Sequence, residues 1–369
     1  MNALAIPRAL LRQAQAVADD FAAHTGVAVD ATELLTGRAA LLDIAPAGWV
    51  SAGGATRLLP TRDRWCALTL SRPDDVAMIP ALLQSDSVDT DPWPEIGAWA
   101  ADSTAGQLAD RARLLGLPVA VVGETAPAPP VVRPSGPTRP GPMAGLLVAD
   151  LSSMWAGPLC GHLLARAGAT VVKVESRSRP DGTRAGERVF FDWMNGGKLS
   201  YATDFDEPAD LAALLDVADV VIEASRPAAL ARRGLGPDTV AVRPGRIWLR
   251  ITGHGTEGQR AEWVAFGDDA AVSGGLVGYR DGTPVFVGDA IADPLTGLQA
   301  AATAVAARAR GGGELIEFSM AAVAAGYRSP GDEVEVSAVP PSVTSAGREL
   351  GADNAAVRRL VAQRSADSC

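Results

Sequence analysis

Seven prolines crowd into residues 126–142, which read APAPPVVRPSGPTRPGP. Proline fixes φ and lacks an N–H, so neither a continuous helix nor a central strand can cross this stretch. It divides the 369-residue chain into two parts, which suits a length that exceeds one ordinary core. A second, shorter break runs over 329–345 and contains Pro330, Gly331, Pro340 and Pro341. Hydrophobic residues make up 47% and charged residues 21%, the mixture of an ordinary globular protein. The net charge of −10 argues against a nucleic-acid footprint, which needs a basic face. It leaves room for a local basic pocket. No apolar run approaches the ~18–20 residues that span a bilayer, and the N-terminus is amphipathic rather than secretory, so a cytoplasmic location is expected. Cys66, Cys160 and Cys369 are scattered and odd in number, which gives neither a disulfide framework nor metal-ligand spacing. Only Lys173 and Lys198 are lysine among 33 basic side chains, a hint that these two hold specific positions.

After the proline-rich stretch, strands and helices alternate. Segments 145–151 (GLLVADL), 170–175 (TVVKVE), 219–223 (DVVIE), 246–252 (RIWLRIT) and 314–318 (ELIEF) have the apolar, β-branched character of buried strands. Residues 158–167, 208–217, 227–233, 294–310 and 320–325 have helical spacing. The expected fold class is α/β: a Rossmann-like, doubly wound parallel sheet with a second, smaller α+β domain. In such sheets ligands bind beyond the carboxyl ends of the strands. The first 124 residues read differently, with helices over 7–23, 74–83 and 93–115 and strands over 65–70 and 117–122. The expected division is a small domain 1–124, a linker 125–142, a ligand-binding domain 143–330 and a tail 331–369 that returns to the large domain.

Several chemistries are excluded by what is missing. There is no P-loop, no H-E-x-x-H, no C-x-x-C and no G-x-S-x-G. Gly253-His-Gly-Thr-Glu-Gly258 matches a dinucleotide fingerprint in letters alone, because no clear helix opens behind it. His24, His162 and His254 are the only histidines. His24 ends the first helix, where it complements the helix dipole, and His162 lies within a helical pattern.

From 143 to about 326 the chain resembles the class III CoA-transferase family, which includes formyl-CoA transferase, carnitine CoA-transferase and the α-methylacyl-CoA racemases. The stretches that carry the resemblance are 148–158 (VADLSSMWAGP), 163–175 (LLARAGATVVKVE), 181–184 (DGTR), 195–198 (NGGK), 218–223 (ADVVIE), 230–236 (LARRGLG), 252–255 (TGHG), 287–297 (VGDAIADPLTG) and 311–320 (GGGELIEFSM). Residues 62–70, 74–83 and 109–124 resemble the family's small domain, which ordinarily follows these motifs. Here it precedes them, and 348–357 resembles the family's closing helix. The resemblance therefore implies a circular permutation joined through the proline-rich stretch, a rearrangement tolerated where chain ends are exposed and close.

The resemblance implies coenzyme A as substrate and Asp293 as the nucleophile, with no metal. Asp293 aligns through its spacing to Gly297 and the Ala-rich helix behind it, with Pro294 expected at the first helical position. A plain N-cap role is the alternative, and Asp289 is the competing carboxylate. Met154, Trp155 and Ala156 are implied at the nucleotide part of coenzyme A. Arg177, Arg184, Asn195, Lys198 and Arg232 are implied around its phosphates, where arginine binds in bidentate fashion. A homodimer is also implied. The chain departs from the family at Trp155, Ser176 and Ala224, and it lacks the second glycine-rich loop that lids the active aspartate in formyl-CoA transferase. The segment 265–272 has no racemase histidine, so a racemase would need His254 instead. A non-catalytic acyl-CoA binder is the reading from another class.

Overall fold

The computed structural model describes residues 3–226, 228–328 and 333–367. Its centre is a seven-stranded sheet, in spatial order Val131–Pro134, Glu314–Ser319, Ile247–Thr252, Val220–Glu223, Leu147–Asp150, Thr170–Ser176, Leu199–Thr203. All neighbours pair in parallel except Val131–Pro134, which runs antiparallel along Glu314–Ser319. The period-two alternation of the strands divides the interior. Val148, Val220, Ile222, Leu249 and Phe318 face one core; Leu147, Ala149, Val221, Trp248 and Leu315 face the other. Helices Ala156–Arg166 and Ala292–Arg310 cover the first face. Helix Ala209–Val217, together with Val357 of helix Asn354–Ala366, covers the second. This is the doubly wound α/β architecture expected from the alternating pattern.

Both sheet edges are closed. The proline-rich stretch supplies the exposed strand Val131–Pro134, an edge position that proline permits. At the other edge, Asn354 bonds both the N–H and the C=O of Ala202 at 2.9 and 2.8 Å, and Asp353 accepts the Ser200 N–H at 2.8 Å. The tail thus returns to the large domain. Residues 329–332 of the second break lie outside the described residues, as does Pro227, the expected start of the short helix Ala228–Ala231. Among the described residues no helix is long and apolar enough to cross a membrane.

The expected boundary at 124 does not coincide with a division of the cores. Strand Ala3–Pro7 pairs antiparallel with Glu333–Ser337. Helix Arg8–Thr25 buries Leu10, Ala14, Ala18 and Phe21 in the same core as Val148 and Leu159. Helix Ala31–Leu42 joins that core through Leu34, Leu35 and Ala39, capped by Asp30 accepting the Thr32 N–H at 2.7 Å. Only the region after it has a core of its own, built on the antiparallel strands Thr56–Pro60, Trp65–Thr69 and Val119–Val121. Leu58, Ala67 and Ala120 on the opposite face of these strands pack on Val272 and Phe286 of the large domain.

Two long helices expected here are each divided. The stretch 74–83 breaks at Met78, because Pro80 has no N–H to continue the ladder. The stretch 93–115 breaks at 102–104, where Thr104 and Gln107 form a capping box that starts a second helix.

Candidate active site

The turn 151–155 leaves the central strand Leu147–Asp150 and opens helix Ala156–Arg166. This is where strand order reverses, since later strands add on the other side of Leu147–Asp150. The turn is braced from inside by the only two lysines. Lys173 donates to the Ser152 carbonyl and, at 2.7 Å, to Asp181. Asp181 in turn accepts the Met154 N–H at 3.2 Å, which holds Met154 in a left-handed conformation with φ 72°. Lys198 donates to Asp150 at 2.8 Å, to the Pro158 carbonyl at 2.8 Å and to Asn195 Oδ1 at 3.2 Å. Burial lowers its pKa, and Asp150 opposes the shift.

Asp293 lies in the first turn of helix Ala292–Arg310 and donates its N–H to the Ala290 carbonyl at 2.9 Å. The backbone N–H of Ala156 favours the ionised form of its carboxylate, so two helix N-termini act on one side chain. The two helices come this close because Gly297 has no side chain: a Cβ there would stand 2.6 Å from the Ala156 carbonyl oxygen. Pro294 occupies the third helical position rather than the expected first, and the first turn tolerates it equally because those N–H groups have no helical acceptor. Asp293 is crowded by protein yet keeps part of its surface open to solvent. Burial and the nearby Asp268 push its pKa up to about 7, against Arg38 and the Ala156 N–H.

Three more carboxylates surround it. Asp268 accepts the Ala290 N–H at 3.0 Å; burial and Asp289 push it up to about 7, against Arg38, the Ala290 N–H and Ser51. Asp269 is fully buried, accepts the Thr69 hydroxyl at 2.7 Å and the Phe266 N–H at 3.1 Å, and is pushed up to about 8, chiefly by burial. Asp289 is raised by burial and paired with Arg38 at 2.6 Å. The Arg38 guanidinium also lies 5.6 Å from the Trp155 ring centre and 5.5 Å from that of Phe190. The Trp155 indole N–H and Asp289 Oδ2 are buried without a protein partner.

The expected site residues fall into two groups. Met154, Trp155 and Ala156 stand directly on the turn beside Asp293, with Met154 exposed and the other two buried. Arg177 and Arg232 are exposed. Arg184, Asn195 and Lys198 are instead engaged inside the fold. Arg184 grips Glu175 through two bonds of 2.8 and 2.7 Å and lies 4.3 Å from the Phe191 ring centre, while Lys198 and Asn195 bond each other. His254 is buried among Arg113, Arg260 and Trp263; burial, then Arg113, drives its pKa down to about 3. Only a 3-10 turn, Gly258–Glu262, follows the glycines at 253–258, so no dinucleotide-binding helix opens there. Surface grooves of about 380 and 440 Å³ lie elsewhere, along helices Arg8–Thr25 and Ala292–Arg310 near Val17 and Gln299.

Arg38, Asp268 and Asp269 are the site residues that sequence reasoning passed over. The adjacent acidic pair at the start of an apolar segment was a readable signal. Arg38 had none, because its helix is apolar on several faces and shows no periodicity.

Residues 143–330 match the sequence profile of CoA-transferase family III. An acyl-CoA transferase of Fusarium pseudograminearum is 32% identical over 212 residues, covering 50% of this chain and 46% of that protein. A succinate–glutarate CoA-transferase of Agrobacterium fabrum is 35% identical over 184 residues, covering 44% and 46%. A solved CAIB/BAIF family protein from Brucella suis is 31% identical with a TM-score of 0.46, covering 51% and 55%. The chain spans about half the length of the curated relatives it matches.

Proposed function

This chain belongs to CoA-transferase family III, and we propose that it moves coenzyme A from an acyl-CoA thioester to a carboxylic acid through Asp293. The observation that carries this reading is the placement of Asp293: a partly open carboxylate where two helix N-termini converge at the strand-order reversal. Its ionised oxygen attacks the thioester carbonyl, forming a mixed anhydride and expelling coenzyme A as thiolate. The thiolate attacks the aspartyl carbonyl of the anhydride, giving an aspartyl thioester and releasing the donor acid. The acceptor carboxylate then attacks that thioester, expelling the thiolate and forming a second anhydride; the thiolate attacks the acceptor carbonyl of this anhydride, giving the new acyl-CoA and releasing Asp293 as a free carboxylate. Each step replaces one difficult exchange by an easier one. The Ala156 N–H, which favours the negative charge of Asp293, would also stabilise oxyanions that develop at the aspartyl carbonyl.

For the phosphates of coenzyme A we favour the exposed Arg177 and Arg232 with the Met154 turn. Arg184, Asn195 and Lys198 act on that turn and its neighbouring strands from within. We also propose that the chain works as a homodimer and that its order of parts reflects a circular permutation. In this reading residues 3–42 belong with the large unit and the region after them forms the small one.

The test uses succinyl-CoA and glutarate, the pair suggested by the name of the Agrobacterium relative. Asp293→Asn is nearly isosteric; it should fold, bind coenzyme A and lose turnover by about a thousandfold, roughly 4 kcal/mol of transition-state stabilisation. Borohydride trapping should place the adduct on Asp293. Full turnover by Asp293→Asn, or an adduct on Asp289, would overturn the assignment.

A further inference from the structure

The neighbourhood of Asp293 holds more acid than one cation can neutralise. Asp268 and Asp269 face it from helix Gly267–Ser273, and Asp289 from the turn just before its own helix. Helix Ala156–Arg166 contributes the Ala156 N–H but no charge. Arg38 is the basic side chain acting on Asp293, Asp268 and Asp289 alike, and it comes from helix Ala31–Leu42, outside residues 143–330.

The guanidinium is pinned to Asp289 at 2.6 Å and flanked by the rings of Trp155 and Phe190. Gly37 lets the helix lie against Trp193, since a Cβ there would stand 2.7 Å from that ring. Gly53 gives the guanidinium room, a Cβ there lying 3.3 Å from Arg38 Nη2. Aromatic faces favour a cation and a planar guanidinium above all. Burial raises all four carboxylates, and the Arg38 charge opposes that rise at Asp293, Asp268 and Asp289.

We propose that Arg38 is a positioning residue: by standing on Asp289 against the Trp155 and Phe190 rings, it offsets the negative charge around the Asp293 carboxylate and favours its ionised form. This rests on Asp293 being the nucleophile, because a carboxylic acid does not attack a thioester. It also assigns a task to the N-terminal segment, which completes a site whose other parts lie in the matched stretch.

Carbon-13 NMR of protein labelled at the aspartate carboxyls tests this without any substrate, with Asp293→Asn and Asp268→Asn assigning the resonances. In Arg38→Gln the Asp293 titration should move to higher pH by one unit or more, and Arg38→Lys, which restores the charge, should bring it most of the way back. An upward shift of one unit from about 7 lowers the ionised fraction at pH 7 about fivefold. Turnover should fall in proportion at pH 7 and recover near pH 9.

Should Arg38→Gln not fold, the pair Arg38→Gln with Asp289→Asn removes the cation together with its buried partner. The shift should still be upward, because Arg38 acts on Asp293 more strongly than Asp289 does. An unmoved Asp293 titration, or a Lys variant no different from Gln, would overturn the proposal. If Asp293→Asn kept full turnover while the titration moved as stated, the electrostatics would stand and the nucleophile assignment would fail.

Discussion

Gly267→Ala adds one methyl group at the point where the acidic helix meets the Asp293 turn. That methyl carbon would stand 2.3 Å from Asp293 Oδ2 and 2.3 Å from the Ala290 carbonyl oxygen. Both contacts are roughly 1 Å short of van der Waals separation. The carboxylate can rotate away, but the Ala290 peptide cannot. Its N–H is held by Asp268 at 3.0 Å, its carbonyl accepts the Asp293 N–H at 2.9 Å, and its φ is already 42°. Either helix Gly267–Ser273 or the turn must therefore shift. Overpacking of this kind costs about 1–3 kcal/mol. Ala gains at most about 1 kcal/mol of helix propensity over Gly, so the net change is destabilising. A displacement near 1 Å at the reacting carboxylate should cost turnover about a hundredfold. Urea unfolding measures the first effect, and succinyl-CoA turnover beside coenzyme A calorimetry the second. Wild-type turnover, with stability within about 0.5 kcal/mol, would show that Gly267 does not pack against Asp293 as described.

Asp269, pushed up to about 8 by burial, binds its proton more tightly in the folded than in the unfolded chain. Its contribution to stability is complete below about pH 4 and is lost as pH rises towards 8, on the order of a few kcal/mol. Asp269→Asn should flatten the fall in Tm between pH 5 and pH 9, and parallel curves for variant and wild type would contradict this. Lys198→Met leaves Asp150 buried without the 2.8 Å partner that braces the turn, so urea unfolding should register a loss of about 3–5 kcal/mol. Arg177→Ala and Arg232→Ala should fold normally, weaken coenzyme A in calorimetry and reduce the salt dependence of binding, as expected for exposed phosphate contacts. Unchanged affinity in both variants would remove these arginines from the site.

Some of this protein was decided locally and could be read without coordinates. The β-branched runs at 170–175 and 219–223 had to be buried strands, because both faces of a parallel sheet are covered. Proline density barred a central strand from 126–142, where a linker was expected; that 131–134 pairs as an edge strand only the fold shows. The Asp293–Gly297 spacing marked one carboxylate ahead of a long helix, and the helix begins there. The partners of the cations were not legible. The family resemblance implied Lys198 and Arg184 around phosphates, and in the fold they pair with Asp150 and Glu175, 48 and 9 residues away along the chain. Whether a cation faces solvent or braces a turn depends on what folds over it.

Tertiary packing alone placed residues 3–42 in the large core and brought Arg38 onto Asp289, 251 positions later. The helix that carries Arg38 is buried on several sides, so it lacks the one-sided stripe that periodicity detects. Short-range preferences determine which segments are helices and strands. The ionisation of Asp293 depends on desolvation and on charges from distant segments, and those exist only once the chain has closed around it.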